Sequence, residues 1–386
     1  MSIQRSTDRI LTTHVGSLPR RLELLDMMKT RMAGSAYDHD AYEACIRDAV
    51  IDCVGRQAAA GIDILTDGEQ SKPGFSAYVR ERLEGFEARP DKKIELFAAE
   101  VAAFPEYYAQ YFKTAMFGGG VAPSVPVVCT GPVKYRGETA LRRDIDNLKA
   151  AAAKVAHHAV FMPAIAPSGV GQNEYYGTEE EFFQAVGAAL RTEYKAIADA
   201  GFLLQIDDPF LCDIFADETL DGSQRKRRAE MHVAVINESL RGISPDKVRY
   251  HTCYGINEGP RIHEAALSDV VDYMLKVNAC SYSFEAANPR HEHEYHLWEN
   301  VKLPEGKVLV PGVITHASNI VEHPELIAER LVRFAKLVGR ENVIAGADCG
   351  FSTQANYHPE VHPTVVWAKF EAMRDGARLA TQQLWS

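Results

Sequence analysis

The alternation of short apolar runs with longer amphipathic stretches is the feature of this sequence that most restricts its fold. Eight runs are typical of strands: 10–17, 62–69, 125–132, 202–209, 248–255, 280–287, 308–315 and 343–350. Helical stretches separate most of them, and this order is typical of a parallel sheet covered by helices. Eight such units in 386 residues predict an α/β fold, a (β/α)8 TIM barrel with insertions.

Two of the helical stretches have clear boundary signals. Residues 178–200 begin with a capping box, Thr178 and Glu181, and are followed by a glycine. Residues 324–338 begin with a proline and are also followed by a glycine. Serine or threonine caps and first-turn prolines start helices, and glycine ends them. We therefore expect a helix over each of these two ranges.

Two segments do not fit a simple repeat of eight units. A ninth apolar run at 160–168 is expected to be an extra strand or an inserted active-site segment. The stretch 90–124 is too long for a simple connection, and we expect a lid or an irregular helical insertion there. No repeat or linker indicates a second domain, so residues 1–386 are expected to form a single barrel.

Charge and cysteine usage exclude several classes of partner. The net charge of -11 comes without a basic block, whereas nucleic-acid binding needs clustered lysine and arginine. No stretch approaches the roughly 20 apolar residues of a membrane span, and no secretory signal precedes the seven cysteines. We expect a cytoplasmic protein with small-molecule partners and free thiols. A homo-oligomer stays open.

Nearly every predicted strand ends in polar or reactive residues. They are His14, Asp67, Glu69, Asp207, Asp208, His251, Cys253, Glu285, His316, Asp348 and Cys349. Any one of them could be a helix cap or a solvated loop residue. However, the carboxyl ends of barrel strands converge on one rim, and barrel enzymes hold their chemistry there. The agreement between the strands therefore indicates an enzyme.

Four of these residues form a candidate metal site. His251 and Cys253 are two positions apart, so both side chains lie on one face of a strand. Glu285 and Cys349 follow later strands and reach the same rim. Two thiolates, an imidazole and a carboxylate suit Zn²⁺ in tetrahedral geometry. The remaining cysteines have no ligand-type neighbours and are expected to be ordinary buried thiols: Cys45, Cys53, Cys129, Cys212 and Cys280.

The motifs along the chain resemble the catalytic domain of the cobalamin-independent methionine synthases and their shorter relatives, which include the epoxyalkane:coenzyme M transferases. The resemblance rests on TTHVGS, DGE, TGPV, QIDDP, HTCYG, FE, GVITHASN and ADCG. It implies a catalytic zinc held by His251, Cys253, Glu285 and Cys349. It also implies a proton-moving role for His316, an aspartate of the substrate site at Asp207, and amino-acid binding by Gly16, Ser17 and Glu69. We place Asp67, in the same DGE motif, with this substrate group.

The sequence departs from that family at points that concern the methyl donor. The full-length methionine synthases have a second, N-terminal barrel that helps to hold polyglutamylated folate, and this sequence has no counterpart of it. The stretch 156–178 also has no clear counterpart. Both the donor and the acceptor are therefore open.

Chemistry at such a zinc follows from its ligands. Coordination deprotonates a substrate thiol, and a thiolate-rich site leaves its sulfur electron-rich, which favours S-alkylation over hydrolysis. The leaving group, an amine or alkoxide, needs a proton, which Asp207, Asp208 or His316 could supply. Two other functions stay open: a metal-free lyase of the uroporphyrinogen decarboxylase type, and a zinc-binding protein without catalysis.

The acceptor thiol is the least determined part of the hypothesis. Homocysteine needs an acid for its ammonium group, and Glu69 matches that role. Coenzyme M carries a sulfonate and would need arginine, for which Arg20, Arg21 or Arg290 are candidates. Homocysteine is favoured, because an unpaired Glu69 would repel a sulfonate. The histidine-rich tract 288–296 is interpreted as a solvated loop, with a second metal site as the alternative.

Overall fold

The parallel sheet at the centre of the molecule curls into a ring. The computed structural model describes residues 5–92, 96–116, 118–122, 125–255 and 258–386. Within these segments, seven strands pair in parallel. Their spatial order is β1 (Ile64–Leu65), β4 (Ala159–Ile165), β6 (Leu203–Asp207), β7 (Val248–His251), β8 (Ser281–Phe284), β9 (Val308–Ile314) and β10 (Gly346–Ala347).

The chain around Thr12 closes this ring between its first and last strands. Thr12 forms a parallel bridge with Ala345, just before β10. The Ala345 N–H donates to the Leu11 carbonyl (2.8 Å), and the Ile64 N–H of β1 donates to the Thr12 carbonyl (3.1 Å). Eight parallel segments thus surround one axis, and the predicted TIM-barrel fold is confirmed.

Two predicted strands exchange places in the observed barrel. The run 160–168, expected to be an extra strand or an inserted active-site segment, forms β4 and pairs in parallel with β1 and β6. The run 125–132, expected to be a barrel strand, forms part of β3 (Val127–Tyr135) and lies outside the ring. There β3 pairs antiparallel with β2 (Leu83–Ala88) and parallel with β5 (Gln172–Asn173). Assigning 125–132 to the barrel was wrong.

Helices surround the barrel. In the described segments they are α1 (Leu22–Met32), α2 (His39–Ala59), α3 (Ala77–Arg82), α4 (Ala98–Ala103), α5 (Pro105–Tyr111), α6 (Glu138–Ala152), α7 (Glu179–Asp199), α8 (Phe210–Ala216), α9 (Gly222–Ser239), α10 (Leu267–Met274), α11 (Pro324–Val338) and α12 (Pro363–Leu384). Both predicted helices are confirmed: α7 starts at the capping box of Thr178 and Glu181, and α11 has the predicted bounds. No helix among the described residues is both long and apolar enough to span a bilayer.

The predicted insertion at 90–124 is helical. It contains α4, α5 and a π-helix at Phe112–Met116. Residues 93–95, 117 and 123–124 of the insertion lie outside the described residues. Tyr108 of α5 is fully buried, and its hydroxyl donates to Glu100 of α4 (3.2 Å), so the helices of the insertion pack on one another.

Apolar side chains fill the lower interior of the barrel. Leu11, Phe161, Leu203, Val310 and others form one buried cluster. The fully buried Arg249 guanidinium lies 4.0 Å from the centre of the Phe161 ring. The interior is therefore a packed core, and a site can form only where the strands end.

Candidate active site

Two thiols and an imidazole meet at the carboxyl ends of the barrel strands. His251 is the last residue of β7, Cys253 follows two positions later, and Cys349 follows β10. Their ligand atoms all lie within 4.8 Å of one another. We call these three residues the thiol–imidazole cluster. Three of the four predicted zinc ligands are thus brought together.

One ring nitrogen of His251 has no partner. Nδ1 lies 3.1 Å from the Ser283 hydroxyl oxygen on the neighbouring strand β8, while the buried Nε2 bonds to no described atom. Burial, together with the charges of Arg249 and His316, lowers the pKa of His251 to about 3. The imidazole is therefore neutral near pH 7. Because buried polar atoms are rarely left without a partner, an unpartnered nitrogen beside two thiols fits a missing metal ligand contact.

The two thiols interact with each other. The hydrogen bond with Cys349, followed by burial and the charge of Glu285, raises the pKa of Cys253 well above that of a free thiol. Without a cation, Cys253 therefore keeps its proton. A soft divalent metal would take up both sulfurs as thiolates, together with the free His251 nitrogen. The chemistry of this donor set fits Zn²⁺.

The fourth predicted ligand lies in a second, adjacent group. Glu285, His316 and Asp348 also have ligand atoms within 4.8 Å of one another, and all three are buried. We call them the carboxylate cluster. Glu285 accepts hydrogen bonds from Arg261 (2.7 Å), from the Asn288 amide (2.8 Å) and from the backbone N–H that follows Cys253 (3.3 Å). Glu285 is thus grouped with His316 and Asp348, and protein donors occupy its carboxylate.

Asp348 is satisfied in the same way. Its carboxylate accepts the N–H groups of Ala286 and Ala287, each at 2.8 Å, and the Asn288 side chain at 3.1 Å. His316, predicted to move protons, is 2 % exposed. The two carboxylates of the carboxylate cluster are thus held by hydrogen bonds from the protein itself.

A cavity of about 170 Å³ opens above the thiol–imidazole cluster. Ser17, Glu69 and Asp207 line it together with all three residues of that cluster, whereas His316 does not. The three clustered ligand groups and three predicted substrate-site residues therefore share one space, large enough for a small molecule.

The loop after β1 holds Glu69 in a strained conformation. Gly68 and Glu69 have φ angles of 66° and 55°, a left-handed region that costs energy for a residue with a side chain. Asp67 accepts the Glu69 N–H (2.9 Å) and does not line the cavity. Lys72 donates to the Glu69 carboxylate (2.8 Å), and both side chains are buried. Glu69 is therefore paired with Lys72, whereas the preference for homocysteine over coenzyme M took Glu69 to be unpaired.

Ser17 is positioned by the close approach of its side chain to the Gly350 backbone. A Cβ atom at Gly350 would lie 2.1 Å from the Ser17 hydroxyl oxygen, so only glycine fits beside Cys349. Gly16 has a φ of 144°, and its N–H donates to His14 Nδ1 (3.2 Å). Ser17 lines the cavity and Gly16 does not. Gly16 thus sets the turn that presents Ser17.

Asp207 is the aspartate that faces the cavity. Gln205 donates to its carboxylate (2.8 Å), and burial together with the charge of Glu69 raises the pKa of Asp207 well above its ordinary value. Asp208 instead accepts from His232 (2.6 Å) and is fully buried away from the cavity. Of the two neighbours, Asp207 alone is placed to exchange a proton with a bound molecule.

The strand-end histidine nearest the N-terminus has a structural role. His14 is 1 % exposed and bonds to the Gln57 side chain (2.9 Å). Burial lowers the pKa of His14 to about 4. Its ring lies against Phe161 and Phe370, so it closes the top of the apolar core.

None of the three candidate arginines lines the cavity. The Arg20 guanidinium donates to the backbone carbonyls of Glu69 (2.7 Å) and Lys72 (2.8 Å), while Arg21 and Arg290 are exposed. The tract 288–296 is not simply a solvated loop: Glu292–Glu299 is a 3₁₀-helix, and His291 is buried between Glu264 and Glu294. The five remaining cysteines are buried thiols, as expected.

Several site residues were missed from the sequence. Lys72 follows Glu69 by three positions, and that spacing is a signal that could have identified it. Two of these residues, Arg261 and Glu360, come from loops, and Arg261 has a φ of 55°. Tyr111 comes from the insertion and lines the cavity, as does Glu360. No local pattern in the sequence indicates that they reach the site.

The protein is thus a parallel α/β barrel with two thiols and an imidazole at its strand ends, beneath a cavity for a small molecule. The sequence profile of "Cobalamin-independent synthase, Catalytic domain" matches residues 10–157 and 172–375. The chain therefore belongs to the cobalamin-independent synthase family. The segment between the two matched ranges contains β4, the strand that was not expected in the barrel.

Relatives extend over almost the whole chain. The methionine synthase of Sulfolobus acidocaldarius is 26% identical over 343 residues, covering 88% of this chain and 85% of its own. That of Saccharolobus solfataricus is 24% identical over 388 residues, covering 97% and 95%.

Two solved structures share the fold. A B12-independent methionine synthase from Shewanella sp. W3-18-1, in complex with selenomethionine, superposes with a TM-score of 0.71 at 19% identity over 98% of this chain and 99% of its own. A putative vitamin-B12 independent methionine synthase from Listeria monocytogenes gives a TM-score of 0.65 at 19% identity with the same coverage. These similarities support the barrel assignment.

Proposed function

We propose that this protein is a zinc-dependent enzyme that transfers a methyl group to the thiol of homocysteine. The observation that carries the proposal is the thiol–imidazole cluster in the cavity, with the unpartnered His251 Nε2 facing two thiols. The family assignment and the methionine synthases among the relatives support methyl transfer to a thiol. We also propose that residues 1–386 act as one catalytic barrel on two small molecules, a thiol and a methyl donor.

Zinc, when bound, would hold the substrate thiol as a thiolate nucleophile. His251, Cys253 and Cys349 would bind the ion. Glu285 is the proposed fourth ligand, although its carboxylate now bonds to Arg261. Competition between Arg261 and the ion for Glu285 is therefore part of the proposal.

The other cavity residues act on the substrate's charges and protons. Glu69, fixed by Lys72 and by its strained loop, would accept the ammonium group of homocysteine. The Ser17 hydroxyl would donate to the carboxylate. Asp207, whose raised pKa keeps its proton to higher pH, would protonate a leaving group that departs as an amine or alkoxide. His316 does not line the cavity. We propose that it acts on protons there indirectly, through the neighbouring carboxylates of Glu285 and Asp348.

The alternatives lack the side chains that they need. A coenzyme M site requires a cation for the sulfonate, and a decarboxylase of the uroporphyrinogen type requires arginines for carboxylates. Among the described residues that line the cavity there is neither lysine nor arginine. A zinc-binding protein without catalysis would have no use for Asp207 and Glu69 in an open cavity.

A zinc-site experiment tests the proposal. The purified protein should hold about one zinc per chain, and mixing with homocysteine should add one sulfur neighbour to the metal in X-ray absorption and release protons to the buffer. Cysteine, glutathione and coenzyme M serve as comparison thiols. An unchanged metal shell under saturating homocysteine would refute the proposed mechanism.

Two variants test the assigned residues. Glu69→Gln should weaken homocysteine binding by roughly 10-fold, about the value of one hydrogen bond to a charged group. Asp207→Asn should slow transfer from a donor whose leaving nitrogen or oxygen must be protonated by roughly 100-fold, as expected for loss of a general acid. Undiminished homocysteine binding by the Glu69 variant would overturn the choice of acceptor.

A further inference from the structure

Three chain segments build the outer wall of the cavity. Gly74 forms an antiparallel bridge with Gln354, and Gly120 forms another with Asn356. The Phe75 N–H also donates to the Thr353 carbonyl (3.0 Å). The loop after Cys349 is thus held on both sides, by the segment after the Glu69 loop and by the insertion. This wall is a fixed part of the fold.

The wall presents aromatic rings and a carboxylate to the cavity. Phe75, Tyr111 and Phe351 line the cavity, and so does Glu360. The Tyr111 hydroxyl donates to the Glu360 carboxylate (2.8 Å). This hydrogen bond holds the tyrosine ring beside the carboxylate in the cavity lining. Aromatic faces next to carboxylates are the usual surroundings of organic cations in proteins.

The cationic side chains near the cavity are directed at the protein's own acceptors. Arg20 donates to backbone carbonyls, Lys72 to Glu69 and to the Pro163 carbonyl (2.8 Å), and Arg261 to Glu264 and Glu285. None of the three lines the cavity. One substrate carboxylate can be met by hydroxyl and backbone donors near Ser17, but a polyanion would find no lysine or arginine among the described residues that line the cavity.

We infer that the methyl donor is an onium compound, a sulfonium or quaternary ammonium ion, bound in the cavity beside Phe75, Tyr111 and Glu360. The inference rests on the proposed thiol methyl transfer and names its second substrate. The negative face of an aromatic ring attracts a desolvated cation, and the Glu360 carboxylate adds to this attraction. The net charge of -11 also attracts a cation and repels a polyanionic donor.

The reaction balances without a further reactant. The thiolate sulfur of the acceptor attacks the methyl carbon, an S–CH₃ bond forms, and the bond from that carbon to the onium centre breaks. The electron pair of the broken bond stays on the onium atom, which leaves as a neutral thioether or amine. The thiol proton passes to the buffer when the thiol binds. Both leaving groups depart as neutral molecules without being protonated, so an onium donor, unlike a donor whose leaving group would depart as an anion, needs no general acid from Asp207.

The test uses the zinc-loaded enzyme with homocysteine bound. Tetramethylammonium, as a slowly reacting probe, should bind in calorimetry, and S-methylmethionine should methylate homocysteine. Tyr111→Leu should weaken tetramethylammonium binding about 10-fold, whereas Tyr111→Phe, which keeps the ring, should change it by less than about 3-fold. Glu360→Gln should weaken it about 10-fold, and none of these variants should alter thiol coordination to zinc.

Failure of tetramethylammonium to bind would overturn the inference. So would transfer from a methyltetrahydropteroyl-triglutamate donor with none from S-methylmethionine. Zinc-edge X-ray absorption with homocysteine separates this failure from that of the proposed function. If the thiol coordinates and tetramethylammonium does not bind, only the donor assignment is wrong; if the thiol does not coordinate, the proposed function itself fails.

Discussion

The ring nitrogen of the thiol–imidazole cluster and the carboxylates of the carboxylate cluster differ in their hydrogen bonds. In the first cluster, His251 Nε2 is buried and bonds to no described atom, and Cys253 is hydrogen-bonded to Cys349. In the second cluster, the carboxylates of Glu285 and Asp348 accept hydrogen bonds from Arg261, Asn288 and backbone N–H groups. Both groups have the spacing of metal ligands. The difference teaches that spacing alone does not define a binding site, because a site also needs acceptors that the protein leaves unused.

The largest expected effect comes from the thiol–imidazole cluster. Cys349→Ser should lose stoichiometric zinc and reduce thiol methylation by more than about 1,000-fold, equivalent to roughly 4 kcal/mol of transition-state stabilisation. The free energy of unfolding of the metal-free protein should change little, since Cys349 is only partly buried. Metal analysis, a methylation assay and urea unfolding measure the three quantities.

The matched control is Cys45→Ser, a change at a buried thiol far from the cavity. It should keep zinc and activity at a modest cost in stability. A Cys349→Ser protein that retains both zinc and full activity would remove the functional distinction between the two clusters.

The next largest effect concerns the protonation of His291, a buried histidine near the carboxylate cluster. His291, stacked on Tyr254 behind the carboxylate cluster, pairs with Glu264 and Glu294, which raise its pKa to about 9. This folded-state pKa exceeds the unfolded value of 6.5. The pairing therefore stabilises the protein fully below about pH 6.5, and this contribution is lost as the pH rises through about 9.

His291→Gln should accordingly lower the free energy of unfolding by about 3 kcal/mol at about pH 6 and by much less at about pH 10. Urea unfolding of both proteins at the two pH values measures the difference. His296→Gln is the control, since His296 pairs with Glu299 on the surface and should cost under about 1 kcal/mol. An equal loss at both pH values for His291→Gln would show that the histidine is not charged in the fold.

The residue that could move between the two clusters is Glu285. If its carboxylate exchanges Arg261 for zinc, Glu285→Gln should lower zinc affinity by roughly 10–100-fold while some binding remains. Competition with a chelator measures the affinity. Asp348→Asn is the matched variant within the carboxylate cluster, and it should destabilise the fold but keep zinc affinity. Unchanged zinc affinity in Glu285→Gln would show that Glu285 has only a structural role. Zinc binding would then belong to the thiol–imidazole cluster and not to the carboxylate cluster.

The smallest effect is expected at the outer arginines. Arg290 is exposed and does not line the cavity. Arg290→Ala should change KM for any thiol or donor by less than about 2-fold, in line with surface substitutions worth under about 0.5 kcal/mol. A large rise in KM for an anionic substrate would place an anion site outside the cavity and weaken the donor inference.

The sequence by itself determined the barrel class and the residues that could do chemistry. Strand and helix periodicity is local, so eight repeated units and helices such as α7 and α11 were predictable. Reactive side chains directly after strands were predictable as rim residues, because parallel strands end on one side of a barrel. On that basis His251, Cys253 and Cys349 were expected together, and their ligand atoms do lie together.

Only the tertiary structure decided which strand pairs with which and which polar group is already satisfied. An apolar run indicates a strand and not its neighbour, so 160–168 entered the barrel and 125–132 joined the side sheet. Glu285 bonds to Arg261 and Glu69 to Lys72, and such pairs depend on loop conformations that carry no periodic signal. A buried carboxylate takes whichever donor the fold brings within about 3 Å. That choice is made by packing across the whole chain.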